Sequence, residues 1–385
     1  MKIITTTQDL AAFCETAATH AFVTIDTEFL RERTYFAKLC LIQMAYPGDD
    51  PDSAVLIDTL SDNLDLAPLY ALFGDETTVK VFHAARQDLE IFFFEGDIFP
   101  KPFFDTQVAA MVCGFGDQVG YETLVRKIAR QPLDKSSRFT DWSQRPLTAR
   151  QQDYALGDVT HLRDIYEFLL AKLKSTHRES WVAEELQALT HPETYVVEPD
   201  EAWRRVKTRS NSGKFLAVVR ELAKFREQHA RTRNIPRSRV YKDEALLEVA
   251  ANKPKSLQEL GKSRLLLREA RRGDIADGIL QAVRTGVACP ADERPEPMAR
   301  REKTIGNEAL SDLLKVLLKA KSEASGVAGK LIATSADLDE IAAGARDVPA
   351  LHGWRAEVFG NDAQRLADGQ IALSANGRNV AIIDV

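Results

Sequence analysis

Residues Phe22 to Phe29 read FVTIDTEF. The run is apolar and β-prone, yet it carries two carboxylates, Asp26 and Glu28, two positions apart. Side chains alternate faces along a strand, so Phe22, Thr24, Asp26 and Glu28 share one face while Val23 and Ile25 take the other. The apolar start of the run is that of a central strand covered on both sides. Like charges held this close, partly out of water, repel and shift each other's ionisation. Something must compensate, and a cation is the direct candidate.

The neighbouring sequence extends the sheet. AFVTIDTEF, FAKLCLIQMAY and SAVLIDTL are short β-prone runs with short connections, an antiparallel meander over Ala21 to Leu60. DLAPLYALFG follows with a helical pattern, then the strand TVKVFHA, the helix ARQDLEIFFF, and PFFDTQVAAMVCG, a strand running into a helix. A sheet that begins antiparallel and continues through helical crossovers is an α/β domain. RPLTARQQDYALGDVTHLRDIYEFLLAKL is the clearest helix. Thr148 and Gln151 fit a capping box, and Ala155, Val159, Leu162, Tyr166, Leu169 and Leu173 keep helical spacing.

Two further acidic positions stand out. Asp88 falls in the first turns of a helix entered from a strand end, where α/β sheets place their sites. Tyr154 and Asp158 are four apart on one helix face. Gly157 lies between them, a poor helix former by about 1 kcal/mol, which suggests close approach of another backbone. Each element alone has an ordinary explanation. Asp88 suits a helix N-terminus, His83 suits a hydrogen-bonded strand end, and Tyr154 suits a core aromatic beside a solvated Asp158. The combination is uncommon.

The chain has 385 residues, 44% hydrophobic and 28% charged, an ordinary globular composition long enough for two or three domains. No apolar run approaches the roughly 20 residues of a membrane span, and the first twenty residues lack the pattern of a secretory signal. Cys14, Cys40, Cys113 and Cys289 are scattered without zinc-ligand spacing, as expected of reduced thiols in a cytoplasmic protein. Net charge is −6, but it is unevenly spread. Residues 201–290 hold 21 Lys+Arg against 10 Asp+Glu, a net of +11, so the remainder carries −17. One basic segment on an acidic remainder suggests a polyanion-binding module. From about residue 207 to 288 that segment is helical in pattern, and Lys207, Arg209, Lys214, Arg231, Arg233, Arg237 and Arg239 are its candidate phosphate contacts.

A strand Asp-x-Glu, an Asp after a strand-to-helix turn, and a late Tyr-x-x-x-Asp together resemble the DEDD exonuclease superfamily in its tyrosine-bearing branch. IDTEFLRERTYFAKLCLIQMA, VFHAARQDLEIF, FDTQVAA and LDKSSRFTDWSQRPLTARQQDYALGDV narrow the resemblance to the ribonuclease D family, over most of residues 1–180. FREQHARTRNIPRSRVYKDEALLEVAANKP is similar to a helicase-and-RNase-D C-terminal (HRDC) domain. SADLDEIAAGARDVPALHGWRAEVFG resembles a second, more divergent copy.

The resemblance implies a multidomain chain: an α/β ribonuclease H-like exonuclease domain followed by two small all-α helical domains. The boundaries expected are 1–190 for the nuclease, 191–206 for a linker, 207–290 for the basic HRDC-type domain, 291–303 for a second linker and 304–385 for the divergent copy. It implies two divalent ions, Mg²⁺ or Mn²⁺, held by Asp26, Glu28, Asp88 and Asp158, with Tyr154 orienting the attacking water. It implies hydrolysis of RNA from the 3′ end with release of nucleoside 5′-monophosphates, on tRNA precursors and other small structured RNAs with 3′ tails. Asp134 to Trp142 would be a loop closing over the substrate, with Trp142 itself a core residue. A monomer is expected, since no heptad seam is present. Two other functions stay open: the same site acting on DNA, and a catalytically silent RNA-binding scaffold. A silent relative is expected to lose a carboxylate, and here all four are present with the tyrosine.

Overall fold

The computed structural model describes residues 2–48, 50–132, 140–296 and 307–385. The chain forms two compact units, one of Met1–Glu28, Cys40–His191 and Lys303–Val385, the other of Phe29–Leu39 and Pro192–Glu302.

The first unit is built on a six-stranded mixed sheet. Its strands are β1 (Lys2–Ile4), β2 (Phe22–Leu30), β3 (Lys38–Ala45), β4 (Ala54–Ile57), β5 (Val79–Phe82) and β6 (Phe103–Asp105). Their spatial order is β1-β4-β3-β2-β5-β6. β3 and β4 are antiparallel, while β2 with β5 and β5 with β6 run parallel. The three runs of the expected meander are β2, β3 and β4, neighbours in that order with β3 and β4 antiparallel, and the crossover strands add on the β2 side. The short strand β1, parallel to β4, carries no signal in the sequence because three residues are too few to show a period.

β2 lies inside the sheet, and Phe22, Val23, Thr24 and Ile25 are all buried. Burial of both faces explains why its first half is apolar without alternation. The long helix Ala149–Thr176 starts at the expected capping box: the Thr148 side chain accepts from the Gln151 N–H, and the Gln151 side chain accepts from the Thr148 N–H. All six apolar positions named for it are buried.

The tail belongs to this same unit. Its helices Glu308–Ser325, Ser335–Ala342 and Asn361–Ala367 enclose a small core that includes Leu314, Leu338, Ile341 and Phe359. Trp354 stacks on Trp181 with ring centroids 4.8 Å apart, and Arg355 pairs with Glu184 at 2.9 Å and with Glu185. The expectation of an all-α tail needs one correction. Its end is a two-stranded antiparallel hairpin, β7 (Ile371–Asn376) and β8 (Asn379–Asp384). Gly377, the first of the two turn residues Gly377 and Arg378, has φ +62, the positive value that the first position of a tight hairpin turn demands.

In the second unit the helices are Gly213–Arg233, Arg237–Val240, Asp243–Asn252, Leu257–Leu260 and Gly273–Ala288. The first and last are packed so closely that a Cβ at Gly286 would fall 2.5 Å from the Val218 Cα. Only glycine permits that approach.

Candidate active site

Three elements supply the candidate site residues: β2, the helix Arg86–Gly96 and the helix Ala149–Thr176. Within β2, Asp26 and Glu28 are half-buried and on the face of Thr24. The buried Thr24 hydroxyl lies 3.0 Å from the Ala45 carbonyl oxygen and 2.8 Å from that of Val159. It thereby seats the helix Ala149–Thr176 against the strand, next to Asp158. Asp26, Glu28 and Asp158 each offer a carboxylate oxygen, and these oxygens all lie within 4.8 Å of one another.

Asp88 is outside that trio but close to it. It is buried in the first turn of the helix Arg86–Gly96, where its Oδ1 accepts from the Thr27 hydroxyl. The turn that launches this helix is shaped by a residue whose role the sequence did not disclose. The Asp105 carboxylate accepts from the N–H groups of Ala84 and Ala85, at 3.1 and 2.9 Å, and from Gln107 at 2.7 Å. Ala84 takes a left-handed conformation there, φ 57. Asp105 therefore fixes one helix entry and caps the next helix, Thr106–Val112. FDTQV read as a strand-to-helix junction, but nothing local said that the same carboxylate would reach back to residue 84.

Electrostatics follow from this crowding. Burial, then the charges of Asp158, Asp88 and Glu28, hold the Asp26 carboxyl well above the usual carboxylate range, against an opposing hydrogen bond from the Thr27 N–H. Burial pushes Asp88 up to about 7, although the Thr27 hydroxyl favours its ionised form. A bound cation would reverse both shifts. The donor set is carboxylate oxygen without nitrogen or sulfur, which suits a hard divalent ion such as Mg²⁺ or Mn²⁺.

Tyr154 is half-buried one turn before Asp158. Its ring centroid is 6.1 Å from that of Trp142. Trp142 is buried, 2% exposed, a core residue as expected. The closing loop foreseen for residues 134–142 falls largely on residues 133–139, outside the described residues. Among the described residues, no backbone approaches Gly157 closely, and a Cβ there would meet only His161 Cδ2, at 4.0 Å. What is used is its carbonyl, which accepts from the Tyr121 hydroxyl at 2.8 Å. Burial, together with the charges of Asp158 and Asp26, drives the Tyr121 phenol far above its ordinary pKa, so it is a neutral donor beside the carboxylates. His83 makes the hydrogen bond expected of it, Nδ1 to Thr106 Oγ1 at 3.0 Å, and burial lowers its pKa.

The seven candidate cations of the helical unit divide. Arg237 forms an ion pair with Glu227, and Arg233 pairs with Asp274 at 2.9 Å. Lys207, Arg209, Lys214 and Arg239 are exposed, and Arg231 is half-buried.

Residues 1–174 match the family model described as 3′–5′ exonuclease, and residues 215–283 match the HRDC domain. The chain is 61% identical over 382 residues to the ribonuclease D of Jannaschia sp. (strain CCS1), with 99% of each chain covered. It is 48% identical over 384 residues to that of Nitrobacter hamburgensis, again with 99% of each covered. Among solved structures it is similar to Escherichia coli RNase D, described as an exoribonuclease involved in structured RNA processing. The TM-score is 0.83 at 30% identity, over 96% of this chain and 98% of that one. By identity over its whole length and by fold, the chain belongs to the ribonuclease D family of 3′–5′ exoribonucleases.

Proposed function

We propose that the protein is a metal-dependent exoribonuclease that trims RNA from the 3′ end and releases nucleoside 5′-monophosphates. The observation that carries the metal is the trio of Asp26, Glu28 and Asp158, with carboxylate oxygens within 4.8 Å of one another. These three would hold one divalent ion, and Asp88 would hold a second through water. When bound, such ions supply Lewis-acid activation of water and neutralise charge on the phosphate. The chain's own groups do the positioning. Tyr154 holds the attacking water by its hydroxyl; a phenol with an ordinary pKa near 10 is a better hydrogen-bond orienter than a base at neutral pH. Tyr121, neutral, keeps the Gly157 turn of the helix in place. Thr27 holds the Asp88 carboxylate ready to receive an ion.

The substrates are tRNA precursors and other small structured RNAs with short 3′ tails, met in the cytoplasm by a monomer. Support comes from the basic helical segment and from the activity described for the Escherichia coli relative. No helix among the described residues is long and apolar enough to cross a membrane. The test is a time course on 5′-labelled RNA and matched DNA, each with a short 3′ tail, with Mg²⁺ and with EDTA. Stepwise shortening of RNA that needs the metal and spares DNA is expected. Shortening that persists in EDTA overturns metal dependence, and equal trimming of DNA overturns the RNA preference.

A further inference from the structure

The run that continues from Asp26 and Glu28 is held by contacts the site does not use. Phe29–Leu39, which runs from the end of β2 to the start of β3, falls in the same compact unit as the helical segment Pro192–Glu302. Tyr35 is its anchor. The backbone N–H groups of Tyr35 and Phe36 both donate to Asn234 Oδ1, at 3.0 Å each. The Tyr35 hydroxyl donates to Glu227 and accepts from Arg237 Nη2 at 2.9 Å. The Arg237 guanidinium lies over the same ring, 4.7 Å from its centroid. Glu227 is almost fully buried, and Arg237 grips its two oxygens, one of them at 2.7 Å. A buried carboxylate is tolerated only when paired and hydrogen-bonded in this way. Asn234 ends the helix Gly213–Arg233 in a left-handed conformation, φ 49, so its side chain projects from a fixed point.

We propose that this network positions the nuclease site: by anchoring Tyr35, the HRDC-type domain fixes the chain that runs directly out of the carboxylate strand. The proposal rests on the assignment of Glu28 to the site. β2 ends at Leu30, so only residues 31–34 separate the strand end from the anchored tyrosine. A tether that short transmits the restraint, and side chains that hold reacting groups lose rate steeply when misplaced. Arg237 is thus a positioning residue acting through Tyr35 rather than a phosphate contact. The helical domain has two separable duties, one on RNA and one on the nuclease strand.

The test uses the full-length protein and a short single-stranded RNA that is too small to need the basic surface. Tyr35→Phe removes only the hydroxyl. Asn234→Gly keeps the left-handed backbone, which glycine adopts freely, and removes the acceptor. Each variant is expected to lower kcat about tenfold, with KM and the salt dependence of RNA binding unchanged. Amide hydrogen exchange over residues 30–37 should accelerate while the sheet keeps its protection. The two changes combined should cost less than the product of the singles, as for members of one network. Wild-type kcat in both variants overturns the proposal. So does a raised KM with unchanged kcat, which would make the network part of the RNA grip. Asp26→Asn, assayed alongside, separates the failures: turnover by that variant would sink the site assignment itself, whereas its inactivity beside two wild-type-like variants would sink only the positioning role.

Discussion

The Thr24 hydroxyl lies 2.8 Å from the carbonyl oxygen of Val159, a residue 135 positions away in the chain. It also lies 3.0 Å from the Ala45 carbonyl. Thr24 shares a strand face with Asp26 and Glu28, and Val159 follows Asp158, so one hydroxyl ties together the two elements that supply the carboxylate trio. Thr24→Val keeps the shape and removes the hydrogen bond. It should cost about 0.5–1.5 kcal/mol of stability and raise the Mg²⁺ concentration needed for half-maximal activity. Denaturant melts and metal titrations of the same preparation check both.

Thr27 plays the corresponding part for Asp88. Its hydroxyl favours the ionised carboxylate, while burial pushes Asp88 up to about 7. A raised carboxyl takes up a proton as pH falls through that value, so Mn²⁺ should bind progressively more weakly below about pH 7. Thr27→Val removes the group that opposes the rise, and the acid limb of the activity profile should move to higher pH. Loss of such a supporting hydrogen bond typically costs about 10–100-fold in metal affinity or activity. Calorimetric Mn²⁺ titration at several pH values reads the shift, and identical profiles for both proteins would exclude the role.

The Asp58–Arg145 pair predicts acid sensitivity. Burial works to raise the Asp58 pKa, but hydrogen bonds from Arg145 and the Leu60 N–H win, and it lies below its ordinary value. Arg145 donates through Nε at 2.8 Å and through Nη2 at 2.6 Å. A carboxylate with a depressed folded-state pKa contributes stability that is present above its unfolded value, about 3.9. That contribution is lost as pH falls through the folded-state pKa. Asp58→Asn should therefore destabilise the protein by about 1–3 kcal/mol at pH 7 and flatten the decline in melting temperature below about pH 4.

Gly157→Ala should stabilise. The position is helical, and a Cβ there would meet, among the described residues, only His161 Cδ2 at ordinary contact distance. The expected gain is about 0.5–1 kcal/mol from helix propensity, read as a higher melting temperature. A lower one would mean that a neighbour does crowd this turn.

RNA binding should separate the cations of the helical unit. Lys207, Arg209, Lys214 and Arg239 are exposed. Replacing Arg239 by Ala should weaken structured RNA uniformly across sequences and reduce the salt slope of log K by about 0.7–0.9. The ion-paired Arg237 should leave that slope in place. Anisotropy titrations between low and moderate salt decide it.

The candidate site residues could be named before any coordinate. Asp26, Glu28, Asp88, Tyr154 and Asp158 could be named as candidates because the three motifs that hold them, each ordinary alone, together resemble a known family. The long helix was legible down to its capping box, because capping is a local hydrogen-bond pattern within four residues. The residues that support the site were not. Asp105 reaches back to Ala84, Thr24 across to Val159, and Tyr121 over to Gly157. An aspartate, a threonine or a tyrosine has no local signature for a partner tens of residues away.

The sequence by itself determined the fold class and the basic character of the helical segment. Those properties are carried by periodicity, spacing and charge, all of which survive in one dimension. Only the tertiary structure decided which cations of that segment stay exposed. Arg237 and Arg239 are two residues apart and read alike in a list of charges. Yet one pairs with a buried glutamate and a tyrosine from residue 35, and the other is exposed. The physical reason is that a charge takes its role from the dielectric and the partners around it, and folding brings those partners from distant parts of the chain.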